Sequence, residues 1–249
     1  MRGRISYGMR SAVLCGLRRA LAGLRDLFFV RSCAVCGKPL AEGEKHLCRD
    51  CIDDIPLTYF WNYSENAAMD RLAGLCHVYN AASLFFYRHD SGYCEIVRRC
   101  KYGGDASLGF WAGAMLGGHM ASGGLFAGVQ VIVPVPLHPL KRYRRGFNQS
   151  EVIARGIASC LPGVRVETRL LRRRRYTATQ TRKTVAERKV NVAGAFRVRR
   201  KALERLRAAG IRHILVVDDV LTTGSTISAC VRVLEGHFTV SAATLGFVD

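Results

Sequence analysis

The fold class this sequence predicts is α/β, with a mainly parallel sheet and a small cysteine-rich module preceding it. Three observations predict it. Runs rich in β-branched residues at 129–135 and 214–218 each lead through a turn into a stretch of helical periodicity, the alternation that lays strands side by side under covering helices. A third such run occupies 239–248. Upstream, four cysteines fall in two close pairs, Cys33 with Cys36 and Cys48 with Cys51, in a segment too short to bury a core of its own.

The elements follow in order. Residues 1–30 predict a basic amphipathic helix, with apolar side chains at Val13, Leu17, Leu21, Leu24 and Phe28. Arg18, Arg19, Arg25 and Asp26 interrupt that stripe. A signal peptide needs an unbroken apolar core and a membrane span about 20 apolar residues, so neither is expected. The helix is expected to pack on a cytoplasmic protein, with attachment to a membrane surface as the lesser alternative. The cysteine module is placed at 31–56 and the main domain at 57–249. Within that domain 82–87 predicts a strand, and 93–102 and 107–120 predict helices, the second rich in Gly and Ala. The run at 129–135 is a buried strand ended by Pro134 and Pro136, which set a stiff turn. An amphipathic helix is expected at 149–161, and a long, basic, mobile loop at 169–190. A short strand at 193–198 and a helix at 201–209, stopped by Gly210, come next. A buried strand at 214–218, a helix at 225–235 and a strand at 239–248 complete the pattern.

Charge narrows the partners. The 249 residues carry a formal net charge of +19. Residues 165–212 hold seventeen Lys and Arg against three Glu, which is most of that excess. A concentrated positive field of this kind gathers anions: phosphates, nucleotides or nucleic acid. The hydrophobic content of 49% is ordinary for a globular chain, so a secreted disulfide scaffold is not needed. Cys15, Cys76, Cys94, Cys100, Cys160 and Cys230 are scattered, mostly in apolar runs, and read as small core residues. The other four have a different use. Two Cys-x2-Cys knuckles separated by eleven residues supply four thiolates, the set that tetrahedral structural zinc requires. Metal binding then provides the stability that so short a segment lacks. His46 is a spare candidate ligand.

The most informative stretch is Ile-Leu-Val-Val-Asp-Asp-Val-Leu-Thr-Thr-Gly-Ser-Thr, residues 214–226. An apolar strand runs into two adjacent acids, then a hydroxyl-rich turn, then a helix. Such a turn stands at the carboxyl end of a strand, where open α/β sheets bind ligands. Gly224 permits close backbone approach, N–H groups at a helix start hold an anion, and Thr222, Thr223, Ser225 and Thr226 offer hydroxyls to phosphate oxygens. Asp218 and Asp219 suit vicinal ribose hydroxyls or Mg²⁺. The alternative is that Ser225 or Thr226 merely caps the helix.

This segment resembles the 5-phosphoribosyl-1-pyrophosphate (PRPP) motif of type I phosphoribosyltransferases. The resemblance implies a sheet of that type. It also implies that Asp218 and Asp219 contact the ribose and that the loop from Val220 through Thr222, Thr223, Gly224, Ser225 and Thr226 cradles the 5-phosphate. Further blocks are similar to the ComF family: Pro134-Val-Pro-Leu-His138, the basic run 141–145, Gly146-Phe-Asn-Gln149, and the spaced Thr179-Gln180, Glu187-Arg188 and Asn191-Val192 ending at Phe196. The cysteine module and the Lys101-Tyr102 pair fit too. Carried over, the resemblance puts Lys101 among the PRPP-binding residues and Arg144 and Arg145 at the pyrophosphate. Gln180, Arg182, Lys183 and Arg188 would sit on a loop that closes over it, and Asn148 either serves the site or caps a helix. It implies a pentosyl-transferring enzyme using PRPP and Mg²⁺. The alternative is a single-stranded DNA-binding factor in natural competence, with a helicase as partner. No hood that would read a nucleobase is identifiable.

Overall fold

The computed structural model of the chain describes residues 31–174 and 194–249. The helix expected at 1–30, and Gln180, Arg182, Lys183 and Arg188, lie outside the described residues. The chain divides into two compact units, one ending at Asp54 and the other running from Ile55 to Asp249. No described helix is long and apolar enough to cross a membrane.

In the first unit the chain turns tightly at Gly37, whose φ of 74° is left-handed, and a bridge joins Ser32 to Pro39. Helix α1 (Arg49–Asp53) starts beside the second knuckle. Both carboxylate oxygens of Glu44 accept backbone N–H groups at 2.7 Å, from Ala41 and from Arg49.

The second unit is built on five parallel strands: β1 (Ala81–Phe86), β2 (Val131–Pro134), β3 (Arg165–Val166), β6 (His213–Leu221) and β7 (Thr239–Phe247), in the order β1-β7-β6-β2-β3. Near-continuous Val, Ile, Leu and Ala in β2, β6 and β7 is what burial on both faces demands. A short antiparallel pair, β4 (Leu171–Arg173) and β5 (Phe196–Val198), stands apart. Residues 171–173 of the loop expected at 169–190 therefore form a strand, and 175–190 lie outside the described residues. Leu171 is buried and Arg172 exposed, and the partner strand alternates buried Phe196 with exposed Arg197, so the ribbon has one covered face.

Around the sheet lie a 3₁₀ turn (Phe60–Asn62) and helices α2 (Ala67–Leu72), α3 (Cys94–Tyr102), α4 (Ala106–Gly123), α5 (Pro139–Arg145), α6 (Gln149–Ala158), α7 (Arg200–Ala208) and α8 (Ser225–Val231). The glycines of α4 explain its composition. A Cβ at Gly113 would lie 2.3 Å from the Ile153 carbonyl oxygen, and one at Gly117 2.6 Å from that of Ile157, so the backbones of α4 and α6 touch. Asn66 caps α2 through the N–H groups of Ala68 and Met69. That helix and α5 were not foreseen; both are short, and α5 buries no side chain.

Topology places the site. From β2 the chain moves outward to β3, and from β6 it moves the other way to β7. The adjacent carboxyl ends of β2 and β6 therefore flank a crevice, the switch point at which open α/β sheets take ligands. Strand β6 also outruns its neighbour. Pro134 is the last residue of β2 and pairs with Val217, so Asp218 and Asp219 stand just past the end of β2, still on a regular strand.

Candidate functional site

Strand pleating sends the two carboxylates to opposite faces of β6. Asp219 is buried, with one oxygen 2.9 Å from Lys101 Nζ and the other accepting from Gln149 Nε2 at 2.8 Å. Asp218 accepts from Ser150 Oγ at 3.0 Å. Lys101 comes from the last turn of α3; Gln149 and Ser150 form the first turn of α6, the helix that follows the β2 loop. Asn148 caps that helix by accepting from the Ser150 N–H at 3.2 Å, and its Nδ2 donates to the Val135 carbonyl at 3.0 Å. Capping is thus what Asn148 does here. It ties the end of β2 to the helix that holds both acids.

Burial and the adjacent Asp219 push Asp218 up to about 7, with Lys101 and Ser150 opposing. Burial acts to lower Lys101, but Asp219 and Asp218 outweigh it and its pKa is raised. Lys141, on α5, is lowered by burial and then by the charges of Arg173, Arg145 and Lys101. The Arg173 guanidinium lies 5.2 Å over the Phe196 ring; burial lowers its pKa and Asp218 opposes that. Lys101 and Arg173 thus act on the acids, and Lys141 and Arg145 add charge beside those two cations, an arrangement that favours a polyanion in the crevice.

Arg144 and Arg145, adjacent in sequence, part company in space. Successive helical residues differ by about 100°, so Lys141 and Arg145 share the half-covered face of α5, with the Arg145 guanidinium 5.1 Å over the Tyr102 ring. Arg144 falls on the exposed face with Leu140 and Tyr143. Across the crevice, Gly224 precedes α8 with φ of 74°, and no side chain caps that helix. The Thr223 and Ser225 hydroxyls bond to each other at 2.8 Å, and Arg71 of α2 donates to the Thr222 carbonyl. A Cβ on Gly224 would meet Leu75 Cδ1 at 3.0 Å and Leu72 Cδ2 at 3.2 Å, so α2 backs the loop closely. Sequence reading missed Lys141, Ser150, Arg173 and the hold of Gln149 on Asp219. Its available signal was two polar residues opening an otherwise amphipathic helix.

In the first unit the sulfurs of Cys33, Cys36, Cys48 and Cys51 all lie within 4.8 Å of one another. Burial disfavours the Cys33 thiolate, but the backbone N–H groups of Cys36, Cys48 and Val35 prevail and bring it down to about 6. Cys51 is pushed up, by burial and by the neighbouring sulfurs. Four thiolates this close repel one another unless a cation lies between them, and four sulfurs at tetrahedral spacing fit structural zinc. His46 is not one of the set; its carbonyl accepts from the Ala34 N–H at 2.9 Å.

Fold and crevice together define an α/β protein with a five-stranded parallel sheet, a crevice lined by acids and cations at its switch point, and a four-cysteine module. Its relatives say more. DNA utilization protein YhgH of Salmonella typhi is 39% identical over 103 residues, 41% of this chain and 42% of that protein. The Escherichia coli (strain K12) protein of the same name is 38% identical over 103 residues, again 41% and 42%. Competence protein F of Haemophilus influenzae is 30% identical over 106 residues, 43% of this chain and 44% of that protein. No family model matches the chain. The match spans less than half the length of these curated relatives. Over that stretch the chain is similar to proteins of both names, in agreement with the resemblance carried by its motifs.

Proposed function

We propose that the crevice between β2 and β6 binds PRPP and that the chain transfers its phosphoribosyl group to a nucleophilic acceptor. The observation that carries this reading is the acid pair at the switch point, next to a glycine loop, with Lys101 on Asp219 and three further cations close by. Asp218 and Asp219 would take the ribose hydroxyls. Residues 222–226 would cradle the 5-phosphate, and Lys101, Lys141 and Arg145 would stabilise the departing pyrophosphate, with Arg144 closing from the rim. Mg²⁺ would enter with the pyrophosphate, meet Asp218 and neutralise charge on the leaving group. Catalysis of this kind is positioning and electrostatic stabilisation.

A second reading places the chain in DNA handling, as the names of its relatives suggest. It draws on α5, which carries Lys141, Arg142, Arg144 and Arg145 with no acid and leaves Tyr143 89% and Leu140 57% exposed. Cations around an exposed aromatic suit single-stranded nucleic acid.

One titration separates the two. Zinc-loaded protein is titrated calorimetrically with PRPP and Mg²⁺, and in parallel with a labelled oligonucleotide at rising salt. The first reading expects PRPP binding weakened at least tenfold in Asp218→Asn. That substitution is preferable to removing Asp219, which would strand Lys101 without its buried partner. Absence of PRPP binding by folded protein, or equal binding by the variant, overturns it. Oligonucleotide binding that falls steeply with salt then favours the second.

A further inference from the structure

The opposite end of the sheet carries a groove that the crevice does not use. The segments that lead into β1, β6 and β7 meet there, around a cavity of about 640 Å³ lined by His77, Tyr79, Arg207, Arg212, Glu235 and His237 among others. That volume is in the range of small-molecule sites. Asp218 stands six positions along the chain from Arg212, through β6, so the groove lies about 20 Å from the crevice at the usual rise per strand residue.

Its parts are held in place. Arg207 lies in the last turn of α7, and Arg212 follows across a turn at Gly210, whose φ is 70°. The backbone of Arg212 is pinned on both sides: its N–H donates to Gln130 Oε1 at 2.8 Å and its carbonyl accepts from the Thr239 N–H at 2.8 Å. Neither arginine side chain has an acidic partner within ion-pair distance among the described residues. Tyr79 donates its N–H to the Val240 carbonyl at 2.8 Å, and its ring meets that of His213 at 5.5 Å, near perpendicular. His213 is fixed in turn by Ser241 Oγ, 2.8 Å away. The Tyr79 ring is thus supported from beneath, yet it is 61% exposed. Glu235 uses one carboxylate oxygen to accept the His77 N–H at 3.1 Å.

We propose that this groove is a second binding site and that it takes a nucleotide. A base stacks on Tyr79, a phosphate is held between Arg207 and Arg212, and Glu235 accepts from ribose hydroxyls. The arginines alone would suit any anion and the tyrosine alone any aromatic ring; together they select a molecule carrying both. The proposal does not rest on PRPP binding in the crevice.

The test titrates the full zinc-loaded chain with adenosine monophosphate, inorganic phosphate, adenosine and an oligothymidylate. A site for adenosine monophosphate is expected that survives Asp218→Asn, weakens at least tenfold in Arg207→Ala/Arg212→Ala and weakens severalfold in Tyr79→Ala. These side chains are exposed, and unchanged melting of the variants checks that the fold is kept. The proposal is overturned if the arginine variant binds as well as the native chain, or if Asp218→Asn abolishes binding, which would assign it to the crevice. It is equally overturned if phosphate alone binds as tightly, or if only the oligonucleotide binds.

Discussion

The four-cysteine unit buries five side chains of apolar type among residues 31–54, and three of them, Cys33, Cys48 and Cys51, belong to the sulfur cluster; only Ala34 and Leu47 remain as ordinary core. The unit from Ile55 to Asp249 buries most of β1, β2, β6 and β7, with Ser83 Oγ and Thr244 Oγ1 joined at 2.7 Å between the edge strand β1 and its neighbour β7. One unit lacks the apolar area to offset the entropy of ordering its chain, and the other has it in excess. The contrast teaches where polar chemistry can be placed. A module of that size commits its cysteines to one sulfur cluster. A unit with a large core can carry a buried acid pair and a stack of cations at one edge and stay folded.

Three perturbations break or sharpen that contrast. The largest effect is expected from Cys48→Ala/Cys51→Ala. Loss of bound zinc should unfold residues 31–54 entirely, seen as rapid proteolysis there, while the melting of the 55–249 unit stays where it was. Protease resistance of the module after metal loss would show that it does not need the metal.

Next, Gly113→Ala should destabilise the larger unit by about 1–3 kcal/mol, because the added methyl meets the Ile153 carbonyl at 2.3 Å. Gly118→Ala, where a Cβ has nothing within 4 Å, should instead stabilise by about 0.5–1 kcal/mol. Urea midpoints of the two variants on opposite sides of the native value are the expected result. A fall for both would mean that helix contact is not the cause.

The smallest effect concerns pH. Asp218 has its pKa raised from 3.8 to about 7 in the folded chain, so between those values the unfolded state has released a proton that the folded state still holds. Stability should therefore decline as pH rises from about 4 to about 7 and level off above. Asp218→Asn should remove the decline, melting close to the native chain at pH 4 and a few degrees above it at pH 8. Parallel pH profiles for the two proteins would rule this out.

Much of the architecture was legible because it is written locally. The apolar, β-branched runs at 129–135, 214–218 and 239–248 read as buried strands, and the first two were followed by helical spacing. The strand at 214–218 was read four residues short: it carries both acids and ends at Leu221, held by β7 pairing as far as Leu221 with Phe247. Acids are poor strand formers, and only the neighbouring strand overrides that preference. Helix α5 went unread because no side chain of it is buried, so it shows no apolar periodicity.

By itself the sequence determined the order of the longer strands and helices, the pairing of the cysteines along the chain and the position of an acid pair before a Thr-Thr-Gly turn. All of these depend on residues within a few positions of one another. Tertiary structure alone decided that Lys101, from a helix more than a hundred residues earlier, meets Asp219 at 2.9 Å, that Gln149 takes its other oxygen, and that Arg144 and Arg145 face different ways. It alone brought the segments before β1, β6 and β7 together into a groove. Those contacts follow from the strand order β1-β7-β6-β2-β3, which places distant segments side by side, and no local pattern encodes which strands become neighbours.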